Sequence, residues 1–181
     1  MSITRRGVVK AIVLLSTALT VAPFGTLYKY LSLPVPIIKL TRTKIANKKD
    51  VPLGEGIRFN FPTKDRPAIL IHLKPGEYKY GDYRQGSQVK AINADEFVAY
   101  DGICTHLGCP ANWNSSEKDS PCPCHGAAYS PIDGSVLRGP PPRPIPKVKI
   151  EIDSGGDIYA IGYESGLPLF GLENVKFENM K

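Results

Sequence analysis

Histidine is scarce in this chain, with three in 181 residues, and none follows His125. That absence excludes an oxygenase that needs a separate mononuclear iron held by histidines of its own. No internal repeat and no second catalytic constellation is present, which argues for one domain with an N-terminal attachment. Acidic side chains are missing from residues 1–33, which hold Arg5, Arg6, Lys10 and Lys29. Of the 23 basic side chains four fall there, leaving 19 against 17 acidic ones, so the formal charge of +6 belongs largely to the N-terminus. The remainder is near neutral, and nucleic acid is not an expected partner. Its basic excess sits at Lys39, Arg42, Lys44, Lys48 and Lys49, a pattern for lipid headgroups, a partner subunit or a solvated linker. Helical periodicity is weak beyond the N-terminal stretch.

Cysteine is as sparse as histidine but concentrated. All four cysteines and two of the three histidines stand in Cys104-Thr105-His106-Leu107-Gly108-Cys109 and Cys122-Pro123-Cys124-His125-Gly126. Cys104 with His106 and Cys122 with His125 make two clamps whose loops can meet around an inorganic core. Two thiolates with two imidazoles suit tetrahedral zinc, as in a structural zinc-binding module, or a mixed-ligand 2Fe-2S cluster. Colour separates the two, because zinc sites do not absorb visible light. A thiol–disulfide oxidoreductase built on Cys122 and Cys124 fails on spacing, since reversible redox pairs favour two intervening residues and here there is one.

The boxes resemble those of Rieske iron–sulfur proteins, in the disulfide-containing branch of quinol-oxidising cytochrome bc-type complexes, where the pattern reads C-T-H-L-G-C and C-P-C-H-G. All eleven positions match. The resemblance implies that Cys104 and Cys122 bind one iron, that His106 and His125 bind the other, and that Cys109 pairs with Cys124. Neutral imidazoles in place of two thiolates make such a cluster a high-potential acceptor. It also implies that Tyr129 donates a hydrogen bond to cluster or ligand sulfur, whereas Ala127 stands where the family commonly has a serine that does the same. Gly139-Pro140-Pro141-Pro142-Arg143-Pro144 resembles the proline loop that covers the cluster. His72, in the apolar run 68–73, is expected to be a strand residue rather than a ligand, and Trp113 to be loop packing.

Ala11 to Tyr28 run for eighteen positions without a charge, about 27 Å as a helix and close to the hydrocarbon thickness of a bilayer. Thr4-Arg5-Arg6-Gly7-Val8-Val9-Lys10 resembles a twin-arginine export signal, a route for proteins that fold around a cofactor before export. No clear A-x-A cleavage site follows, so retention as a single-pass anchor is expected. The positive-inside rule puts the N-terminus in the cytoplasm and the cluster domain on the extracytoplasmic side of the cell membrane, where a disulfide persists.

Alternation at Val148, Ile150 and Ile152, a turn at 154–156 and a second run over 157–161 read as a hairpin. Further strands are expected over 57–61, 68–73, 88–92 and 96–100. The expected fold is therefore all-β, the Rieske fold of stacked antiparallel sheets with an inserted cluster-binding subdomain, plus one N-terminal transmembrane helix. The expected divisions are a signal and anchor over 1–33, a tether over 34–50 and a 2Fe-2S domain over 51–181 with its insertion at about 101–146. Residues 164–181 give no reading. The resemblance implies a respiratory-chain electron-transfer subunit of a multisubunit quinol oxidoreductase, not catalytic alone. It would take an electron and a proton from quinol at cytochrome b, with His125 and His106 meeting the quinol, and pass the electron to a cytochrome or copper protein. A Rieske subunit of an arsenite-oxidase-like molybdenum oxidoreductase is the alternative.

Overall fold

A computed structural model describes residues 5–17, 35–164 and 169–178. The chain divides into two compact units, residues 1–36 and 37–181. In the first, residues 5–17 form an exposed helix that begins with Arg5 and Arg6 and includes Lys10. Among the described residues no helix is long and apolar enough to cross a membrane. The span expected over 11–28 runs into residues 18–28, which lie outside the described residues.

The second unit is built from strands, in the order β1 (Ile37–Lys39), β2 (Thr43–Asn47), β3 (Gly56–Asn60), β4 (Pro67–Leu73), β5 (Gly76–Tyr80), β6 (Gln88–Ile92), β7 (Glu96–Asp101), β8 (Ser120–Cys122), β9 (Ala127–Tyr129), β10 (Val136–Arg138), β11 (Lys147–Ile152), β12 (Asp157–Tyr163) and β13 (Lys176–Glu178). A six-stranded antiparallel sheet has the order β2-β12-β11-β7-β4-β3. A three-stranded sheet, β10-β9-β8, carries one of the two boxes, and β5 pairs with β6 as a hairpin. The small β1–β13 pair is parallel, a departure from the all-antiparallel expectation.

Strand β4 shows why its sequence is a continuous apolar run instead of an alternating one. Ile69, Ile71 and Leu73 enter one buried cluster, and Ala68 and Leu70 enter another. The six-stranded sheet is thus covered on both faces at its centre, and a strand buried on both sides has no polar face to show. The first cluster continues through Val98 and Tyr100 into Cys104, Cys122, Ala127, Tyr129, Val136 and Ile145. One apolar core therefore joins the large sheet to the loops bearing the boxes, and it fixes them as a rigid end of the domain.

β7 and β11 are neighbours in the sheet, so residues 102–146 are inserted between adjacent strands. β1 and β2 lie in the stretch expected to be a tether, and β2 pairs with β12 over Thr43 to Asn47. Two of the basic residues there are already engaged. Lys44 pairs with Asp157 at 2.6 Å, and Arg42 lies 3.3 Å over the Tyr159 ring and 3.5 Å from Glu151.

Candidate metal centre

The first box begins where β7 ends. Gly102 allows a close crossing, because a Cβ there would sit 2.9 Å from the carbonyl oxygen of Pro67. The chain then closes on itself: the Cys104 amide donates to the Cys109 carbonyl at 2.8 Å, and the Gly108 amide donates to the Cys104 carbonyl at 2.9 Å. Gly108 has φ +81°, a region open to glycine at little cost. The second box is a hairpin tip. Cys122 on β8 faces Ala127 on β9, so residues 123–126 make the turn, with Gly126 at φ +67°. The tips of the two loops are joined by a disulfide between Cys109 and Cys124.

With that pair oxidised, Cys104 and Cys122 are the free thiols, and both are buried. The sulfurs of Cys109, Cys122 and Cys124 lie within 4.8 Å of one another, but two of them share a covalent bond and cannot serve as thiolate ligands. Burial pushes the Cys122 thiol above its ordinary pKa, and its hydrogen bond with Cys104 acts the same way, while the amides of Cys124 and His125 favour the thiolate. His106 is half-buried and His125 is exposed. Their Nδ1 atoms converge to 3.3 Å with the rings crossed at 87°. At this distance the Nδ1–H of one neutral ring can donate to the bare Nδ1 of the other, and with both nitrogens bare the same convergence presents two ligand atoms to one metal centre. Two buried thiols met by hydrogen-bond donors, and two imidazoles with converging nitrogens, fit a mixed-ligand [2Fe-2S] cluster.

Tyr129 is fully buried on β9, and its hydroxyl lies 3.1 Å from Cys104 Sγ. The Thr105 amide donates to that hydroxyl at 3.0 Å, and Thr105 Oγ1 lies 3.2 Å from it. Thr105 Oγ1 also donates to the Arg143 carbonyl at 2.6 Å, tying the first box to the proline loop. At the other end of that loop Gly139 rests on Ala127, where a Cβ would come within 2.6 Å of the Ala127 Cα. The proline segment thus spans from one box to the other. Ala127 is buried and supplies no hydroxyl.

His72 lies away from this site. It stacks on Phe97 at 4.0 Å, and its ring nitrogens meet the Val51 carbonyl and the Asp95 carboxylate at 2.9 and 3.0 Å. Trp113 donates to the Gly54 carbonyl at 2.9 Å and packs against the domain core. Sequence reasoning missed a second layer of support. Arg66 grips the Asp101 carboxylate through two nitrogens at 2.9 and 2.6 Å, and a third nitrogen donates to the Phe170 carbonyl at 2.9 Å. Phe170 leans on Gly108, and Glu173 lies 3.4 Å from Arg143. The C-terminal segment, illegible as sequence, therefore packs on both the first box and the proline loop. Burial pushes the Asp101 carboxyl up to about 6, against the pull of Arg66 toward the ionised form.

An all-β domain that offers two thiols and two imidazoles from disulfide-linked loops is a metal-cofactor protein. The particular kind is shown by comparison: the Rieske [2Fe-2S] domain family matches residues 42–149, and this chain belongs to it. Its cofactor is accordingly a Rieske [2Fe-2S] cluster. The chain is 31% identical over 147 residues to the cytochrome b6-f complex iron-sulfur subunit of Chlorobaculum tepidum, covering 78% of this chain and 67% of that subunit. It is also 31% identical over 119 residues to a Rieske subunit assigned to a respiratory nitrate reductase of Haloferax mediterranei, covering 63% and 52%. The chain thus spans between half and two thirds of these curated relatives. The crystal structure of the soluble domain of Rieske protein II from Sulfolobus acidocaldarius superposes with a TM-score of 0.50 at 26% identity, covering 72% of this chain and 84% of that one.

Proposed function

We propose that this chain is the membrane-anchored Rieske subunit of a quinol-oxidising cytochrome bc-type complex, taking an electron and a proton from quinol at a cytochrome b subunit. The observation that carries the reading is the pair of imidazoles at the end of the domain, with Nδ1 atoms 3.3 Å apart, beside two buried thiols. Cys104 and Cys122 would hold one iron, and His106 and His125 would hold the other through Nδ1. When bound, the cluster supplies a high-potential one-electron acceptor. Ligation through Nδ1 leaves the Nε2 atoms of both rings for quinol. His125 is the more exposed, so it meets the quinol hydroxyl first and can receive its proton, with His106 beside it. The thiols stay away from water in the apolar core, where they are protected from oxidation.

Residues 1–33 act in this reading as a twin-arginine-like signal kept as an anchor, with the N-terminus cytoplasmic and the cluster domain outside the cell membrane. Support comes from Arg5, Arg6 and Lys10 ahead of the charge-free run, and from a disulfide that suits an oxidising compartment. Since β1 begins at Ile37 and β2 is part of the large sheet, any swing of the domain between cytochrome b and the next carrier pivots ahead of Ile37. The relative named as a cytochrome b6-f complex subunit supports a multisubunit assembly of this kind, and in this reading a downstream cytochrome or copper protein takes the electron. The Haloferax relative favours a second reading, an electron-transfer subunit of another respiratory oxidoreductase. Adding quinol to membranes that hold the whole complex decides between them. Reduction of the Rieske signal that requires the cytochrome b subunit supports the first reading, and reduction that proceeds without it sinks that reading.

A further inference from the structure

The proline loop cannot hold itself in place. Four of its six residues lack an N–H, so it cannot join a sheet, and its carbonyls need donors from elsewhere. Three alternate carbonyls find them. That of Arg143 takes the Thr105 hydroxyl, that of Gly139 takes the Tyr83 hydroxyl at 3.0 Å and Arg84 Nη2 at 3.2 Å, and that of Pro141 takes the same Arg84 Nη2 at 2.5 Å. Tyr83 and Arg84 lie in the loop between β5 and β6, far in sequence from both boxes.

Arg84 is itself prearranged for this contact. Asp82 accepts from the Arg84 amide at 2.8 Å and from Arg84 Nη1 at 3.0 Å, and the guanidinium lies 4.8 Å from the centre of the Tyr83 ring. With one nitrogen held by the carboxylate, the other is aimed at the two carbonyls, a fork geometry that a lysine cannot reproduce. The β5–β6 loop is in turn fixed to the cluster end of the domain. Its Tyr83 amide donates to the Val136 carbonyl at 3.0 Å and its Gly81 amide to Asp133 at 3.2 Å.

We propose that Arg84 is a positioning residue for the cluster, acting through the proline loop: it clamps the Gly139 and Pro141 carbonyls so that the segment stays closed between the two boxes. The inference rests on the ligand reading given above. No feature of the sequence marks Arg84, because only the fold brings the hairpin to the loop.

The test uses the purified full chain with its cluster, at a temperature well below unfolding. Arg84→Ala should bleach in the presence of an iron chelator roughly tenfold faster than the parent, the factor equivalent to one lost hydrogen bond from a charged donor. Its reduced-state electron paramagnetic resonance lines should broaden as the freed loop takes several positions around the iron. Arg84→Lys should resemble the alanine variant, and Asp82→Asn should fall between it and the parent. Parent-like bleaching and line shape in Arg84→Ala would overturn the clamp, as would full rescue by lysine or a lowered melting midpoint with unchanged lines. Iron analysis of Cys104→Ala separates the two levels: retained iron refutes the ligand reading and the clamp with it, whereas lost iron beside a parent-like Arg84→Ala refutes the clamp alone.

Discussion

Replacing Tyr129 by phenylalanine removes one oxygen from a buried junction of three groups, and the geometry says which bonds are lost. The Thr105 amide donates to the Tyr129 oxygen, and the Thr105 hydroxyl gives its own hydrogen to the Arg143 carbonyl. The tyrosine hydrogen is then shared between Cys104 Sγ at 3.1 Å and Thr105 Oγ1 at 3.2 Å. A thiolate is the stronger acceptor, so in the proposed ligation, where Cys104 would be ionised on iron, the bond to sulfur wins. Such a bond contributes about 1.5 to 3 kcal/mol, and only its strengthening on reduction bears on the potential. Half to all of the lower figure, at about 1.4 kcal/mol per 59 mV for one electron, lowers the potential of Tyr129→Phe by roughly 30 to 60 mV. The Thr105 amide is left without its acceptor in a buried place, costing about 1 to 3 kcal/mol of stability. Voltammetry and thermal unfolding of the same preparation measure both. An unchanged potential with a fully occupied cluster would refute the reasoning, because it would mean that the hydroxyl does not act on the sulfur.

Alanine at Cys104, His106, Cys122 or His125 should abolish iron and acid-labile sulfide, whereas alanine at Cys109 or Cys124 should leave an assembled but fragile cluster. Closing a loop with a sequence separation of 15 contributes roughly 3 kcal/mol through chain entropy, and the six variants are compared by metal analysis and melting. Ala127→Ser should raise the potential by roughly 30 to 60 mV if the new hydroxyl reaches a sulfur, on the same arithmetic as Tyr129→Phe but with opposite sign, which voltammetry measures. Arg66→Leu should destabilise the domain by about 3 to 5 kcal/mol at neutral pH, since it leaves the Asp101 carboxylate buried and unpaired. Removing Arg66 raises the folded Asp101 pKa further above its unfolded value, so that loss should shrink as the pH falls and the carboxyl protonates, which melting from pH 8 to 5 measures. Hydrogen bonds from Lys44 and Asn47 hold the Asp157 carboxyl below its ordinary value. Its support of the β2–β12 pairing is therefore present above the ordinary carboxylate range and lost as the pH falls through the folded value; amide exchange in β2 that is indifferent to this acidification would contradict it.

Residue types narrowed the cofactor to zinc or a 2Fe-2S cluster, the resemblance of the two boxes chose the cluster, and alternation gave the β scaffold. A Cys/His set of this composition admits few inorganic partners, and alternating apolar residues such as Val148, Ile150 and Ile152 cannot bury one face except in a sheet. Strand β4, a continuous apolar run, was legible as a strand, but not as one buried on both faces, because burial on the second side comes from segments distant in the chain. The start of the folded unit was also beyond sequence reasoning: a polar, lysine-rich stretch over 34–50 looks like a tether until Lys44 finds Asp157 and β2 finds β12. The resemblance implied a bond from Tyr129 to a sulfur without saying which, and only the tertiary structure brought it to Cys104, Arg84 to the proline loop, Arg66 to Asp101 and Phe170 to the first box. Ligands to a metal are constrained in spacing by short loops and so leave a local motif. Residues that hold those loops in place are constrained only by where the fold returns them, over separations as long as 104 residues between Arg66 and Phe170, and no local pattern records that.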